Sequence, residues 1–286
     1  MKPEVIVLST QYWQEFLIPY RQAVDELVLK FNSLKNQSMT LGENSPIESV
    51  RGRVKTVSSI LEKINKYGFD VEDLETNIKD IAGIRIICQF VEDIYEVVDI
   101  IHERDGKDLR IVDVKNYMEG EDQSSLKSGC GIPKESGYQS YHLIIRYPVF
   151  CALGYREIYA EIQIRTLAMN FWSIIEHSLS YKYKEKLPEA LKARLHNTAD
   201  SVIGLDQEMS AIRDEIQQAQ KLFKMKSSTV NSILDNIDNL YKLDQSDKAV
   251  AYERDFEDLS EQEDLIQLIL LKKELESEIS RIKEEN

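Results

Sequence analysis

A chain of 286 residues, 42% of them apolar, is long enough for one large domain or two ordinary ones with a buried core. Its formal net charge of −14 argues against a protein that wraps duplex DNA, because phosphate neutralisation needs a concentrated cationic face. No stretch approaches the roughly 18 apolar residues of a membrane span and the N-terminus lacks the order of a signal peptide, so a cytoplasmic protein is expected.

Phe16, Leu17, Tyr20, Val24, Leu27, Phe31 and Leu34 recur at helical spacing and predict an amphipathic helix from Thr10 to Lys35. Asn36 to Pro46 reads as a loop, and Ser45-Pro46-Ile47-Glu48 as the start of a short helix. Arg51-Gly52-Arg53-Val54-Lys55 is a short basic strand. A side-chain period of two puts Arg51, Arg53 and Lys55 on one face, where they repel unless an anion sits among them. A solvated strand edge is the alternative. Ser58 to Tyr67 is again helical, and Glu72 to Lys79 is a loop or short helix.

Asp80 to Phe90 is an apolar strand that opens with a carboxylate, passes through Gly83 and carries Arg85 among isoleucines. Charged groups in such a run need partners, unless Asp80 is a turn residue and Arg85 points outward. Val91 to Arg104 has the pattern of a helix packed on a sheet. Asp105 to Ser136 is rich in glycine, serine, lysine and acid and reads as a long loop, of a length that is either functional or mobile.

Gly137-Tyr138-Gln139-Ser140-Tyr141-His142 leaves that loop and feeds a strand from Leu143 to Tyr147, closed by Pro148. Tyr138 is a strand-start aromatic or a flat face on which a base stacks. From Tyr155 to Arg165, Ile158, Ala160, Ile162 and Ile164 alternate with Tyr159, Glu161, Gln163 and Arg165. The first set is core, and the second is solvated or lines a site. Thr166 opens a helix with Met169, Phe171, Trp172, Ile175 and Leu179, where His177 reads as structural. Pro188 starts another long helix to about Lys224.

Ser227-Ser228-Thr229 reads as a hinge. The acidic remainder carries Ile233, Ile237, Leu240, Leu265, Leu268, Leu271, Leu275 and Ile279 at helical positions, as a helical hairpin, an oligomer contact or a solvated tail. The boundary expected is 1–225 for the main domain and 226–286 for an acidic helical extension. Cys88, Cys130 and Cys151 form no CxxC pair and stand near no histidine at ligand spacing, so zinc is not expected.

Four motifs in order, Gly52-Arg53-Val54-Lys55 with Ser58, Asp80-Ile-Ala-Gly-Ile-Arg85, Gly137-Tyr138-Gln-Ser-Tyr141-His142 and Glu161-Ile-Gln-Ile-Arg165-Thr-Leu-Ala-Met169, closely resemble the RelA/SpoT synthetase domain. The resemblance spans about residues 11 to 225 and is nearest to the small alarmone synthetases. It implies an α+β fold, a nucleotidyltransferase-like mixed sheet flanked by helices, with the helical C-terminal extension beyond. The implied reaction moves pyrophosphate from ATP to the 3′-hydroxyl of GDP or GTP, with GMP as a further candidate acceptor, in the stringent response.

By the same resemblance Asp80 and Glu161 are catalytic and hold Mg2+, a hard cation that takes one or two carboxylates plus phosphate oxygens. Arg53 and Arg85 flank the adenine of ATP, and Lys55 and Ser58 hold its phosphates. Tyr138 stacks on guanine, with His142, Gln163, Lys115, Glu135 and Lys30 on the acceptor side. A homo-oligomer, a tetramer by resemblance, is implied, with single-stranded RNA or alarmone as an effector and no membrane partner. No histidine is followed by aspartate, so an alarmone hydrolase site is not expected. The other functions weighed are the same fold acting on adenine nucleotides or tRNA, and an inactive nucleotide or RNA sensor.

Overall fold

The computed structural model describes residues 9–70, 73–118, 136–182, 188–261 and 264–285. Helices α1 (Thr10–Phe16) and α2 (Ile18–Thr40) come first, then strand β1 (Ser49–Val54), α3 (Val57–Tyr67), the short α4 (Leu74–Asn77) and β2 (Ala82–Cys88). Helix α5 (Val91–His102) leads to β3 (Arg110–Asn116), β4 (Tyr141–Cys151) and β5 (Gly154–Thr166), and α6 (Leu167–Lys182) follows. Three helices close the chain: α7 (Glu189–Lys242), α8 (Ser246–Glu261) and α9 (Leu265–Glu285).

The strands form one sheet in the order β1-β2-β5-β4-β3, antiparallel except for the parallel pair β2–β5. This is the mixed α+β arrangement expected. Period-two alternation gives the sheet two unlike faces. Ala82, Ile84 and Ile86 of β2, Leu143 and Ile145 of β4, and Ala160, Ile162 and Ile164 of β5 are buried on one face, under α2 and α5. Burying each such branched side chain contributes about 1.5–3 kcal/mol, so this face anchors the fold and leaves the other for polar residues.

Gly52 is what lets α2 lie so close. A Cβ there would stand 2.4 Å from Val24 Cγ1 and 2.7 Å from Val28 Cγ2. Gly52→Ala is therefore expected to destabilise the protein by about 1–3 kcal/mol through overpacking, read as a lowered denaturation midpoint. A midpoint at or above the wild-type value would contradict this close packing.

Several expectations need correction. The first helix breaks at Leu17, ahead of Pro19, and α2 continues to Thr40 into the expected loop. No helix starts at Pro46; Ile47 is drawn into the core and Glu48 N donates to Ile87 O at 2.8 Å, so the segment runs into β1. The stretch expected as loop from Asp105 contains β3, an edge strand with a register shift between Ile111 and Asp113. Strand β4 passes through Pro148, which lies beyond Arg146, the last residue paired with β3, where a missing N–H costs no ladder bond. On α6, Met169 and Trp172 are buried, whereas Phe171, Ile175 and Leu179 are exposed.

The hinge at Ser227-Ser228-Thr229 is absent: α7 is continuous there. The Ser228 hydroxyl bonds back to Met225 O, and the Ser228 carbonyl accepts from Ser232 Oγ one turn on. By its internal contacts the chain divides into residues 1–210 and 211–286. The second unit has its own core, in which Ile233, Ile237 and Leu240 of α7 pack with Leu268, Leu271, Leu275 and Ile279 of α9, under Ala249 of α8. The residues that read as a hairpin stripe thus face inward, in a three-helix cluster.

Candidate active site

The polar face of the sheet is organised in rows across the strands. Residues directly opposite share a face. One row runs Arg51, Arg85, Gln163, His142 and Lys115. The next runs Arg53, Gly83, Glu161, Ile144 and Asp113. Strands far apart in sequence therefore bring the first, second and fourth motifs side by side. Gly83 keeps the floor open between Arg53 and Glu161.

Arg51, Arg53, Asp80, Gly83, Arg85, Glu161 and Gln163 line a cavity of about 190 Å³. Arg53 also borders an adjoining cleft of about 600 Å³, lined by Lys55, Thr56, Ser59, Glu62, Lys63, Lys66 and His177. Thr56 caps α3 by accepting from Ser59 N at 3.3 Å, which turns the helix N-terminus towards this cleft.

Asp80 stands just before β2. Its Oδ2 accepts from Lys55 Nζ at 2.6 Å and from Lys63 Nζ at 2.7 Å. Burial would raise its carboxyl, but the bonds and charges of the two lysines outweigh that and hold it below the ordinary range. It is ionised at neutral pH. Asp80 Oδ1 is buried and meets no partner.

Glu161 Oε1 faces His142 Nδ1 at 3.2 Å, and its Oε2 accepts from Gln163 Nε2 at 2.9 Å. Burial pushes this carboxyl up, as does the charge of Asp80, yet the His142 and Gln163 bonds leave it lowered. Burial brings the Arg85 guanidinium down to about 10, helped by the like charges of Arg165, Arg53 and Arg51. Its Nε is buried without a partner. Three arginines, Arg51, Arg53 and Arg85, lining one cavity with two carboxylates suit a polyanion with a cation beside it.

The structure brings Asp80, Glu161, Arg53, Arg85, Lys55, Gln163 and His142 together. Ser58 sits at the start of α3, its hydroxyl 3.0 Å from that of Thr56, while Ser59 lines the cleft. Lys115 shares the polar face but is exposed on β3, 4.0 Å from Asp113. Tyr138 is buried against Met169, Trp172 and Ala199, its hydroxyl 3.4 Å from His142 Nε2 and 3.3 Å from Arg165 Nη1. Glu135 lies outside the described residues.

Lys30 is not brought to the site. It points from α2 to Asp108 at 2.6 Å and to the Tyr147 hydroxyl at 3.1 Å, and Tyr147 belongs to the apolar face of β4. Sequence reasoning missed Lys63, whose signal was available: it lies on the same helix face as Ser59, four residues on. Arg165 was legible as part of a motif but had no assigned role.

Residues 52–186 match the family described as the region found in RelA/SpoT proteins. The chain is 45% identical over 219 residues to the GTP pyrophosphokinase YjbM of Bacillus subtilis strain 168, a match covering 77% of this chain and 97% of that protein. The chain belongs to the RelA/SpoT family. Two solved structures of small alarmone synthetase 1 from Bacillus subtilis resemble it. The one bound to its product pppGpp is 45% identical with a TM-score of 0.64, over 72% of this chain and 99% of that one. The one bound to AMPCPP is 44% identical with a TM-score of 0.61, over 73% and 99%. The RelA/SpoT match takes in β2 to β5 and Gly52 to Val54 of β1, the strands that carry the two rows, and leaves α7, α8 and α9 outside.

Proposed function

We propose that this RelA/SpoT protein is a GTP pyrophosphokinase that transfers the β- and γ-phosphates of ATP to the 3′-hydroxyl of GDP or GTP, giving AMP and the alarmone. One observation carries the reading: two ionised carboxylates, Asp80 and Glu161, line one cavity with Arg51, Arg53 and Arg85, beside a cleft that holds Lys55, Lys63 and Lys66. The solved relatives bound to pppGpp and to AMPCPP support a nucleotide at each side of such a site.

In the step proposed, the 3′-oxygen of the acceptor attacks the β-phosphorus of ATP. The bond from that phosphorus to the oxygen bridging the α-phosphate breaks, AMP leaves with that oxygen, and the hydroxyl proton passes to Glu161 or to solvent. By the resemblance Arg53 and Arg85 flank the adenine; both line the cavity, and guanidinium planes stack on aromatic rings. Lys55 and Lys63 exchange Asp80 for the phosphates and draw charge from the transferring group. His142 and Gln163 hold the Glu161 carboxylate towards the acceptor.

Among the described residues no group of three or more His, Cys, Asp or Glu could hold a metal by itself. Magnesium fits nonetheless, because it is bound by one or two carboxylates plus substrate phosphates, and Asp80 Oδ1 is a buried oxygen without a partner. Asp80 and Glu161 would hold it. Bound there, it would neutralise charge developing on the phosphate oxygens.

The assignment of Tyr138 to the guanine ring rests on the resemblance alone. A product panel tests the reaction. With ATP and magnesium, GDP and GTP should each give one AMP per modified guanine nucleotide, while adenine nucleotides and tRNA give none. A modified adenine nucleotide or tRNA would replace this reading.

A further inference from the structure

Arg165 has no part in the chemistry above, yet it is 2% exposed and is among the largest fully buried side chains. A buried guanidinium is costly unless its donors are met. Here Nη1 donates to Ser173 Oγ at 2.6 Å and to the Tyr138 hydroxyl at 3.3 Å, whereas Nε and Nη2 are buried with no partner. Its guanidinium carbon stands 5.8 Å from the centroid of the Tyr138 ring.

Tyr138 needs an anchor of this kind. It precedes β4, which begins at Tyr141, so no strand ladder fixes its ring. Gly137, at φ +76°, brings the backbone so near α7 that a Cβ there would lie 2.7 Å from Ala199 Cβ. Met169, Trp172 and Ala199 then pack the ring's apolar part, and Arg165 and His142 take its hydroxyl. Arg165 is a donor only, so the hydroxyl must accept from it, which fixes the side from which the ring is held. At 3.3 Å the bond is long, and direction rather than strength is what it supplies.

We propose that Arg165 is a positioning residue for the acceptor nucleotide: from the rigid base of β5 it sets the plane of the Tyr138 ring on which the guanine is received. The inference rests on the reading of Tyr138 as an acceptor-side ring. The competing role is a plain tie between β5 and α6 through Ser173, which would make Arg165 matter for stability and leave acceptor affinity untouched.

Steady-state kinetics of the full chain separate these. Base stacking contributes about 1–3 kcal/mol, so Tyr138→Ala should raise the acceptor KM about tenfold, with the ATP KM within about twofold of wild type. Arg165→Met should act in the same direction, and Arg165→Lys, which keeps a cationic donor, should recover part of the loss. Arg165→Met with a wild-type acceptor KM, in a background where Tyr138→Ala raises it, overturns the inference. An unchanged acceptor KM in Tyr138→Ala contradicts the acceptor reading of Tyr138 and the inference with it. Where Arg165→Met fails to fold, Tyr138→Phe decides, because it leaves the Arg165–Ser173 bond and the ring in place. A raised acceptor KM there supports the proposal, and a wild-type value overturns it.

Discussion

Asp80→Asn and Glu161→Gln are each expected to lower AMP release from ATP by about a thousandfold or more while the fold persists. Groups that stabilise charge developing in the transition state are worth about that much when removed singly. Both substitutions keep side-chain volume, and neither residue is part of the apolar core that holds the sheet to α2 and α5. In Asp80→Asn the amide keeps one oxygen for Lys55 or Lys63, so circular dichroism and the denaturation profile should stay near wild type. Turnover within tenfold of wild type in either variant would remove that residue from the reacting centre. Loss of activity with loss of fold would leave the matter to its conservative counterpart, Asp80→Glu or Glu161→Asp.

Lys55→Met and Lys63→Met should each raise the ATP KM by about tenfold or more, in line with the 1.5–3 kcal/mol of a charge-assisted hydrogen bond. The double variant should fall short of the product of the two. Both lysines bond the same oxygen of Asp80, and residues that share a partner do not act independently. A rise confined to the acceptor KM would place the triphosphate elsewhere. Lys55 is the more enclosed, with 13% of its side chain exposed against 37% for Lys63, so its loss should be felt more.

The roles of the site residues were legible through the four motifs and their resemblance to the RelA/SpoT synthetase domain, and period-two alternation on β1, β2 and β5 adds which of them share a face. Arg53, Arg85, Glu161 and Gln163 fall on one face for that reason alone, and the sheet order then sets them in adjoining rows. What sequence could not supply was which helix lies on which face. Lys30 was assigned to the acceptor by the resemblance, but α2 covers the apolar face and Asp108 and Tyr147 take its ammonium. Edge strand β3 was missed because Arg110, Asp113 and Lys115 interrupt its apolar residues, as suits a strand with a solvated side.

The C-terminal stripe of Leu268, Leu271, Leu275 and Ile279 was legible as a stripe but not as a core. An apolar seam on a helix has the same appearance whether a neighbouring helix or a second chain covers it. Here α7 and α8 cover it. Serines at 227 and 228 looked like a break because hydroxyls compete with the helical backbone, a competition the Ser228 hydroxyl gives up by bonding back to Met225 O within the helix.

The central claim is that a pyrophosphoryl group moves intact from ATP to a guanine nucleotide. It is tested most directly by giving the enzyme ATP labelled at the β-phosphorus, with GDP or GTP and magnesium, and locating the label by mass spectrometry. The account predicts the label in a 3′-diphosphate on the guanine nucleotide, with unlabelled AMP formed in equal amount. Label remaining in ADP, released as free phosphate or pyrophosphate, or carried by an adenine acceptor would contradict it.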